Sequence, residues 1–237
     1  MTKIQLFAVH RGPQLSDDQL KRSLQSLPSF DQDRILRYRR WEDRQSGLLA
    51  AKLARKMLSE HLQVSAHDLQ IERTSFGRPY LHGFTQWQGD YNVSHSGDWV
   101  FGGIAEQGLL GVDVEGLREI DMEVSKHCYC PEERDELYSL EGKEQNAFFY
   151  VLWTLKEAYI KAIGTGLSTP LTSFGFDIES LKAGRILLKD EHGVAQPQWN
   201  FRRYEVDEAY RFAICTDQSE LPSTVTLLTR DEVLISC

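Results

Sequence analysis

The chain has 237 residues, 41% of them hydrophobic, so it is long enough to bury a core and is neither disordered nor peptide-like. Its 27 basic and 35 acidic residues leave a net charge of −8, which argues against a general nucleic-acid binder, because phosphate contacts need clustered positive charge. The longest uncharged apolar stretch of note, Phe148 to Leu155, is far short of the roughly 20 residues a membrane span needs.

The opening segment MTKIQLFAVHR alternates like a strand and has no apolar h-region, so no signal peptide is expected and a cytoplasmic protein is. A first strand is expected at Ile4 to Val9, closed by Gly12-Pro13. Ser16 to Leu27 reads as a short helix with Ser16 as its N-cap, ending near Pro28. A long helical pattern runs from about Glu42 to Leu62, with Leu49, Leu53 and Met57 four apart, a stripe that should face a sheet. Leu69 to Arg73 and Tyr91 to Ser94 read as short strands separated by the Gly77-Arg78-Pro79 turn and a loop. Trp99 to Ala105 and Leu109 to Val114 follow as two more. Helices are expected at Pro131 to Leu140 and Lys143 to Ile163, then strands near Phe174 to Ile178, Ile186 to Lys189, Trp199 to Glu205, Tyr210 to Thr216 and Thr224 to Leu228.

A long helix followed by several strands thus occurs twice, although no residue-level repeat accompanies it. The pattern predicts an α+β protein of two similar lobes, residues 1–107 and 108–237, in a pseudo-twofold arrangement with the active site in the cleft between them. Two joined halves make a monomer sufficient. The cysteines are Cys128, Cys130, Cys215 and Cys237; the C-x-C pair after His127 has the wrong spacing for paired zinc knuckles, so all four are read as unpaired thiols.

Charge is unevenly spread. Between Arg34 and Lys56 eight basic side chains face only Glu42 and Asp43, a local net of +6 that leaves −14 for the remainder. Such a segment is either a solvated face or an attractor for a polyanionic small molecule or an acidic protein.

Three segments carry candidate chemistry. In Gly111 to Gly116 the strand period puts Asp113 and Glu115 on one face, where two carboxylates repel unless solvent, basic neighbours or a divalent cation intervene. The helix Phe148 to Ile163 is apolar on most sides yet carries Lys156, Glu157 and Lys161; Trp153, Glu157 and Lys161 form one stripe, and a Glu157–Lys161 helix pair is the plain alternative. Tyr91 to Gly97 runs from a strand into the hydroxyls and imidazole of Ser94, His95 and Ser96, donors suited to a phosphate.

With the Gly77-Arg78-Pro79 turn, these segments resemble the 4′-phosphopantetheinyl transferase superfamily in its two-lobed, Sfp-type branch. The resemblance covers roughly Arg34 to Ile178 and includes Asn92-Val93-Ser94-His95-Ser96, Gly111-Val112-Asp113-Val114-Glu115, and Trp153, Lys156, Glu157, Ala158 and Lys161 followed by Gly164, Gly166 and Leu167. It implies transfer of phosphopantetheine from coenzyme A to a serine of an apo acyl or peptidyl carrier protein, with release of 3′,5′-ADP. It further implies that Asp113, Glu115 and Glu157 hold Mg²⁺, for which Mn²⁺ substitutes, and that Glu157 is the base. Lys161 stabilises charge on the pyrophosphate and Lys156 adds to that field. Arg34, Arg78, Ser94, His95, Lys156 and Lys161 are thereby expected to bind coenzyme A, with Arg78 and His95 near its 3′-phosphate.

The basic segment departs from the family pattern. Asp31 stands three residues before Arg34, where lysine or arginine is frequent, so that Arg37, Arg39 or Arg40 would substitute; Ser46-Gly47 replaces a basic residue followed by a hydroxyl. Two rival readings remain, a Mg²⁺-dependent hydrolase of a pyrophosphate-containing cofactor and a non-catalytic coenzyme A-binding protein.

Overall fold

The computed structural model describes residues 4–235, so that Cys237 and the first three residues of the opening segment lie outside the described residues. Strand β1 (Ile4–His10) leads to helix α1 (Asp17–Gln25), whose start is fixed as expected: Ser16 Oγ accepts from Gln19 N at 3.2 Å while Gln19 Oε1 accepts from Ser16 N at 2.9 Å. Pro28 opens a second helix, α2 (Ser29–Leu36), which the sequence pattern did not separate; a proline lacks only the N–H that a helix start leaves unbonded. The long helix α3 (Trp41–Leu62) follows, then a hairpin of β2 (Gln70–Arg73) and β3 (Pro79–His82), where only a loop was expected after the turn. Strands β4 (Asp90–Ser96), β5 (Trp99–Ala105) and β6 (Leu110–Gly116) come next.

Downstream are α4 (Ser125–Cys128), α5 (Pro131–Ser139) and the second long helix α6 (Gly142–Ile163). A hairpin of β7 (Phe174–Phe176) and β8 (Leu188–Asp190) encloses α7 (Ile178–Lys182), a helix the sequence did not announce, capped by Asp177. The chain ends in β9 (Asn200–Tyr204), β10 (Tyr210–Thr216), β11 (Thr226–Leu228) and α8 (Arg230–Ile235).

The element order repeats in full. The first sheet has β5 between β1 and β4, and the second has β10 between β6 and β9, with every one of these pairings antiparallel. Each half is therefore a strand, a 22-residue helix, a short hairpin and two further strands, joined in the same spatial order. The last strand breaks the division at 107/108. β11 pairs in parallel with β1, so residues 226–228, expected in the second lobe, complete the first sheet.

Packing gives four layers, an α+β architecture. Leu49, Leu53 and Met57 of α3 meet Val9, Tyr91, Val100 and Ile104 on one face of the first sheet. Its other face, with Leu6, Ala8 and Phe101, meets Val112, Val114, Phe212 and Ile214 of the second sheet. The far face of that sheet carries Ala213 and Cys215 against Leu152, Leu155 and Ala158 of α6. Burying a leucine side chain such as Leu152 or Leu155 stabilises by about 1.5–3 kcal/mol, so α6 is held firmly against the sheet that carries Asp113. No helix among the described residues is long and apolar enough to cross a membrane.

Candidate active site

β4 and β6, the facing edge strands of the two sheets, run side by side in the same direction. The contact is made by side chains. Leu110 N donates to Asp90 Oδ2 at 2.8 Å, Val112 N to Asn92 Oδ1 at 3.1 Å and Gly116 N to Ser96 Oγ at 3.3 Å. Alternate residues of β4 thereby satisfy the amides that β6, as an edge strand, leaves unpaired. The same row orients the two carboxylates. Ser94 Oγ donates to Asp113 Oδ1 at 2.8 Å, and Ser96 Oγ donates to Glu115 Oε2 at 2.7 Å.

Helix α6 approaches β6 most closely at Gly111, where a Cβ would lie 2.0 Å from Ala158 O and 2.5 Å from Ala162 N. Only glycine permits that approach. One turn along, Lys161 Nζ donates to Asp113 Oδ1 at 2.5 Å and to Ser94 Oγ at 2.8 Å. Lys161 thus pairs with Asp113 across the seam rather than with Glu157 four residues before it, so the plain helix pair does not form. Sequence reasoning placed Asp113, Glu115, Glu157, Lys161 and Ser94 in one site, and the fold brings these together. Ser94 enters as a partner of the Asp113–Lys161 pair.

Burial dominates the site's electrostatics. It pushes the Asp113 and Glu115 carboxyls up, partly offset at Asp113 by Lys161 and reinforced at Glu115 by Asp113. Glu157 is pushed up to about 7, first by burial and then by the neighbouring Asp113 and Glu115 charges, with Lys161 opposing. Three carboxylates that repel one another form a hard, all-oxygen donor set, and Asp113 Oδ2 is buried with no partner. That orphaned oxygen, beside Glu115 and Glu157, fits a divalent cation such as Mg²⁺. Among the described residues no three His, Cys, Asp or Glu side chains form a ready-made ligand cluster, so the fit rests on the orphaned Asp113 oxygen and the oxygen chemistry of its neighbours.

One expected ligand of coenzyme A stands elsewhere. Lys156 is completely buried: its Nζ lies 2.8 Å from Glu133 Oε2 and donates to Leu171 O at 2.7 Å and Phe174 O at 2.6 Å. All three ammonium protons are committed, and the side chain ties α6 to α5 and to the segment after the helix, away from the seam. Arg78 stands at the seam: its Nη1 donates to Ala162 O at 2.6 Å, its Nη2 donates to Asp90 and, at 3.3 Å, to Leu110 O, and it lines with Lys161, Gly164 and Gly166 a cavity of about 190 Å³.

Arg34 and His95 do share a site, a cavity of about 220 Å³ on the outer side of β4, lined also by Asp31, Arg73, Pro79 and Tyr91. Asp31 is held by Arg55 at 3.1 Å and lies 3.5 Å from Arg34. Arg34 Nε and the Tyr91 hydroxyl are buried and unpartnered. Arg73 was missed. Burial and the neighbouring Arg34 push its pKa down, the mark of two guanidiniums crowded into one pocket. The signal was its place at the end of the strand entering the Arg78 turn. Burial, then Lys161 and Arg34, also lowers His95. A cavity of about 1050 Å³ lies between the first turns of α6 and β9 and is lined by none of the expected site residues. Cys128, Cys130 and Cys215 are free thiols.

Comparison with known families finds two adjoining matches: "4'-phosphopantetheinyl transferase, N-terminal" over residues 14–106, and "4'-phosphopantetheinyl transferase superfamily" over residues 109–215. The chain is 28% identical over 231 residues to 4'-phosphopantetheinyl transferase Sfp of Bacillus subtilis (strain 168), spanning 98% of this chain and 100% of that protein. The 4'-phosphopantetheinyl transferase ffp of Bacillus subtilis matches at the same identity and coverage. The 4'-phosphopantetheinyl transferase gsp of Aneurinibacillus migulanus is 33% identical over 146 residues, 62% of this chain and 60% of its own length. With both halves matched in order and the seam carboxylates falling inside the second match, the chain belongs to the 4′-phosphopantetheinyl transferase superfamily.

Proposed function

We propose that the protein transfers 4′-phosphopantetheine from coenzyme A to a serine of apo acyl or peptidyl carrier proteins, and that the β4–β6–α6 seam is where it does so. The observation that carries the siting is the unpartnered, buried Asp113 Oδ2 beside two further carboxylates and an ammonium. In the reaction the serine Oγ forms a bond to the pantetheine-side phosphorus of the pyrophosphate, and the bond from that phosphorus to the bridging oxygen breaks. The electron pair leaves with 3′,5′-ADP.

Glu157 would take the serine proton, since a carboxyl pushed up to about 7 is basic enough to accept it and still partly ionised at neutral pH. Lys161, held by Asp113 and Ser94, sets a positive charge where the leaving phosphate becomes more negative. Asp113 through Oδ2, with Glu115 and Glu157, would hold Mg²⁺, and Mn²⁺ in its place. That ion, when bound, supplies neutralisation of pyrophosphate charge.

The cavity of Arg34, Arg73 and His95 suits the nucleotide's phosphate. Two crowded cations and a neutral imidazole all gain from an arriving anion. Both halves of the seam come from one chain, which favours a monomer, and free thiols fit a cytoplasmic protein.

Release of 3′,5′-ADP with and without apo carrier protein tests the reading. The transferase releases it only when carrier is present, and chelation stops the release; carrier-independent consumption of coenzyme A would identify a hydrolase instead.

A further inference from the structure

Strand β4 reaches across the seam with two serines, and each makes the same pair of bonds. Ser94 Oγ accepts from Lys161 Nζ at 2.8 Å and donates to Asp113 Oδ1 at 2.8 Å. Ser96 Oγ accepts from Gly116 N at 3.3 Å and donates to Glu115 Oε2 at 2.7 Å. A serine hydroxyl has one proton, so an N–H arriving at its lone pair leaves that proton for the carboxylate. Each carboxylate is thereby held by one oxygen. Asp113 keeps Oδ2 without a partner, and among the described residues Glu115 takes no hydrogen bond at Oε1. Ser96 is itself fixed from behind. It ends β4 opposite Trp99, and Gly97 then turns the chain at a φ of 53°, where a Cβ would lie 2.5 Å from Tyr210 Oη. Tyr210 Oη accepts from Asp98 N at 2.9 Å, and its ring packs on Gly116, where a Cβ would lie 3.0 Å from Tyr210 Cε1. One aromatic side chain thus covers the residues that directly follow Ser96 and Glu115, and it keeps the ends of β4 and β6 in register.

We infer that Ser96 is a positioning residue, whose hydroxyl occupies Glu115 Oε2 and so reserves Oε1 for the divalent cation that Asp113 Oδ2 awaits. The inference rests on the transferase reading above and its siting of Mg²⁺. A glutamate side chain is costly to order, and the serine orders it before the ion arrives. Asp113 and Glu115 also repel one another, and the hydroxyl proton offsets part of that repulsion. Ser96 differs from Ser94 in touching neither Lys161 nor Asp113, so its effect on the site passes through Glu115. Groups that hold a metal ligand in place are worth about 10 to 100-fold in metal affinity, which sets the size of the effect.

The test titrates Mn²⁺ into the coenzyme A complex of wild type, Ser96→Ala and Ser96→Thr with no carrier present, and reads free Mn²⁺ by electron paramagnetic resonance. Ser96→Ala should weaken Mn²⁺ binding by about tenfold or more, whereas Ser96→Thr, which keeps the hydroxyl, should stay within about threefold of wild type. The Kd of coenzyme A in metal-free buffer should be within about twofold of wild type in both variants. In turnover the Ser96→Ala defect should lie in the Mg²⁺ concentration that gives half the maximal rate more than in kcat. The role is overturned if Ser96→Ala binds Mn²⁺ as tightly as wild type, the result for a serine that only pairs the Gly116 amide. It is equally overturned if the loss falls in the metal-free coenzyme A Kd, the mark of a direct contact with that molecule, or if Ser96→Thr is as poor as Ser96→Ala. Thermal melting checks each fold, and should Ser96→Ala not melt cooperatively, Ser96→Cys, a weak donor of similar size, takes its place. A wild type that modifies no carrier overturns the transferase reading, whereas a Ser96→Ala enzyme that matches an active wild type in Mn²⁺ Kd overturns only the role of Ser96.

Discussion

The two halves share one architecture and divide its uses. The fifteenth residue of each long helix is a buried cation, Arg55 in α3 and Lys156 in α6. Arg55 donates to Ala66 O and Leu69 O after its helix and pairs with Asp31 of the short helix before it. Lys156 donates to Leu171 O and Phe174 O after its helix and pairs with Glu133 of the short helix before it. The device is the same in both, a charge that stitches a long helix to its flanks. The next position differs. Lys56 and Glu60 form an i,i+4 pair in the first half, while the equivalent Glu157 and Lys161 of the second have the signs exchanged and turn toward the seam. The strands differ likewise, since the fourth and sixth residues of β1 are Phe7 and Val9, and those of β6 are Asp113 and Glu115. The stitch is present in both halves, whereas the three carboxylates and the lysine of the candidate site stand in the second and meet Ser94 and Ser96 of the first.

The stitch is where that parallel is broken with the largest effect. Lys156→Ala leaves Glu133 charged and fully buried, and should cost about 3–5 kcal/mol in denaturant unfolding; Arg55→Ala should act in the same direction through Asp31. Replacing both partners by apolar residues, as in Lys156→Met with Glu133→Leu, should recover most of the loss. If Lys156→Ala instead unfolds like wild type but binds coenzyme A poorly, the lysine belongs to the ligand site after all.

Equivalent positions of the two helices should then part in activity. Glu157→Ala is expected to reduce kcat by about 10² to 10³-fold, while Lys56→Ala at the matching position leaves it within about twofold. Steady-state rates with one carrier protein suffice, and equal losses would dissolve the division of labour.

A smaller effect concerns pH. The folded-state pKa of Glu157 is raised, to about 7 against an ordinary 4.5, so between those values the folded chain holds a proton that the unfolded chain has released. Stability contributed by this group is therefore present below about pH 4.5 and lost as pH rises through about 7. Glu157→Gln removes the titration, so in metal-free buffer the variant should gain on wild type between pH 5 and about pH 8. A constant difference in melting temperature across that range would contradict the raised value.

The smallest effect lies on the surface. Of the basic segment, Lys52 and Arg55 are buried, Arg34 and Arg44 are half-buried, and Arg37, Arg39 and Arg40 are exposed. Charge reversal at Arg39 should slow association with an acidic carrier protein at low salt and weaken its salt dependence, with kcat within about twofold of wild type. A wild-type rate that is flat across a salt series would remove the electrostatic docking argument.

Much of this was legible in the residues. Period-two alternation put Asp113 and Glu115 on one strand face, and fourfold spacing put Glu157 and Lys161 on one helix stripe; both patterns are local. What escaped was set by contacts distant in sequence. Nothing near Lys156 announces Glu133, so that cation read as a ligand of an anion when it serves a carboxylate and two carbonyls. Strand β11 looked like the end of the second half because an apolar run does not disclose its partner, β1. Arg73 was overlooked for the converse reason: it lies outside the basic cluster and joins Arg34 only when the β2–β3 hairpin folds across α3.

The claim that the second half's carboxylates perform the transfer is tested most directly by intact mass spectrometry. An apo carrier protein is incubated with coenzyme A, Mg²⁺ and either wild type or Asp113→Ala, with the fold of each enzyme checked by melting. Wild type should add one phosphopantetheine to the carrier and Asp113→Ala should leave it unmodified over the same time. A carrier modified equally by both enzymes, or by neither, would contradict the account.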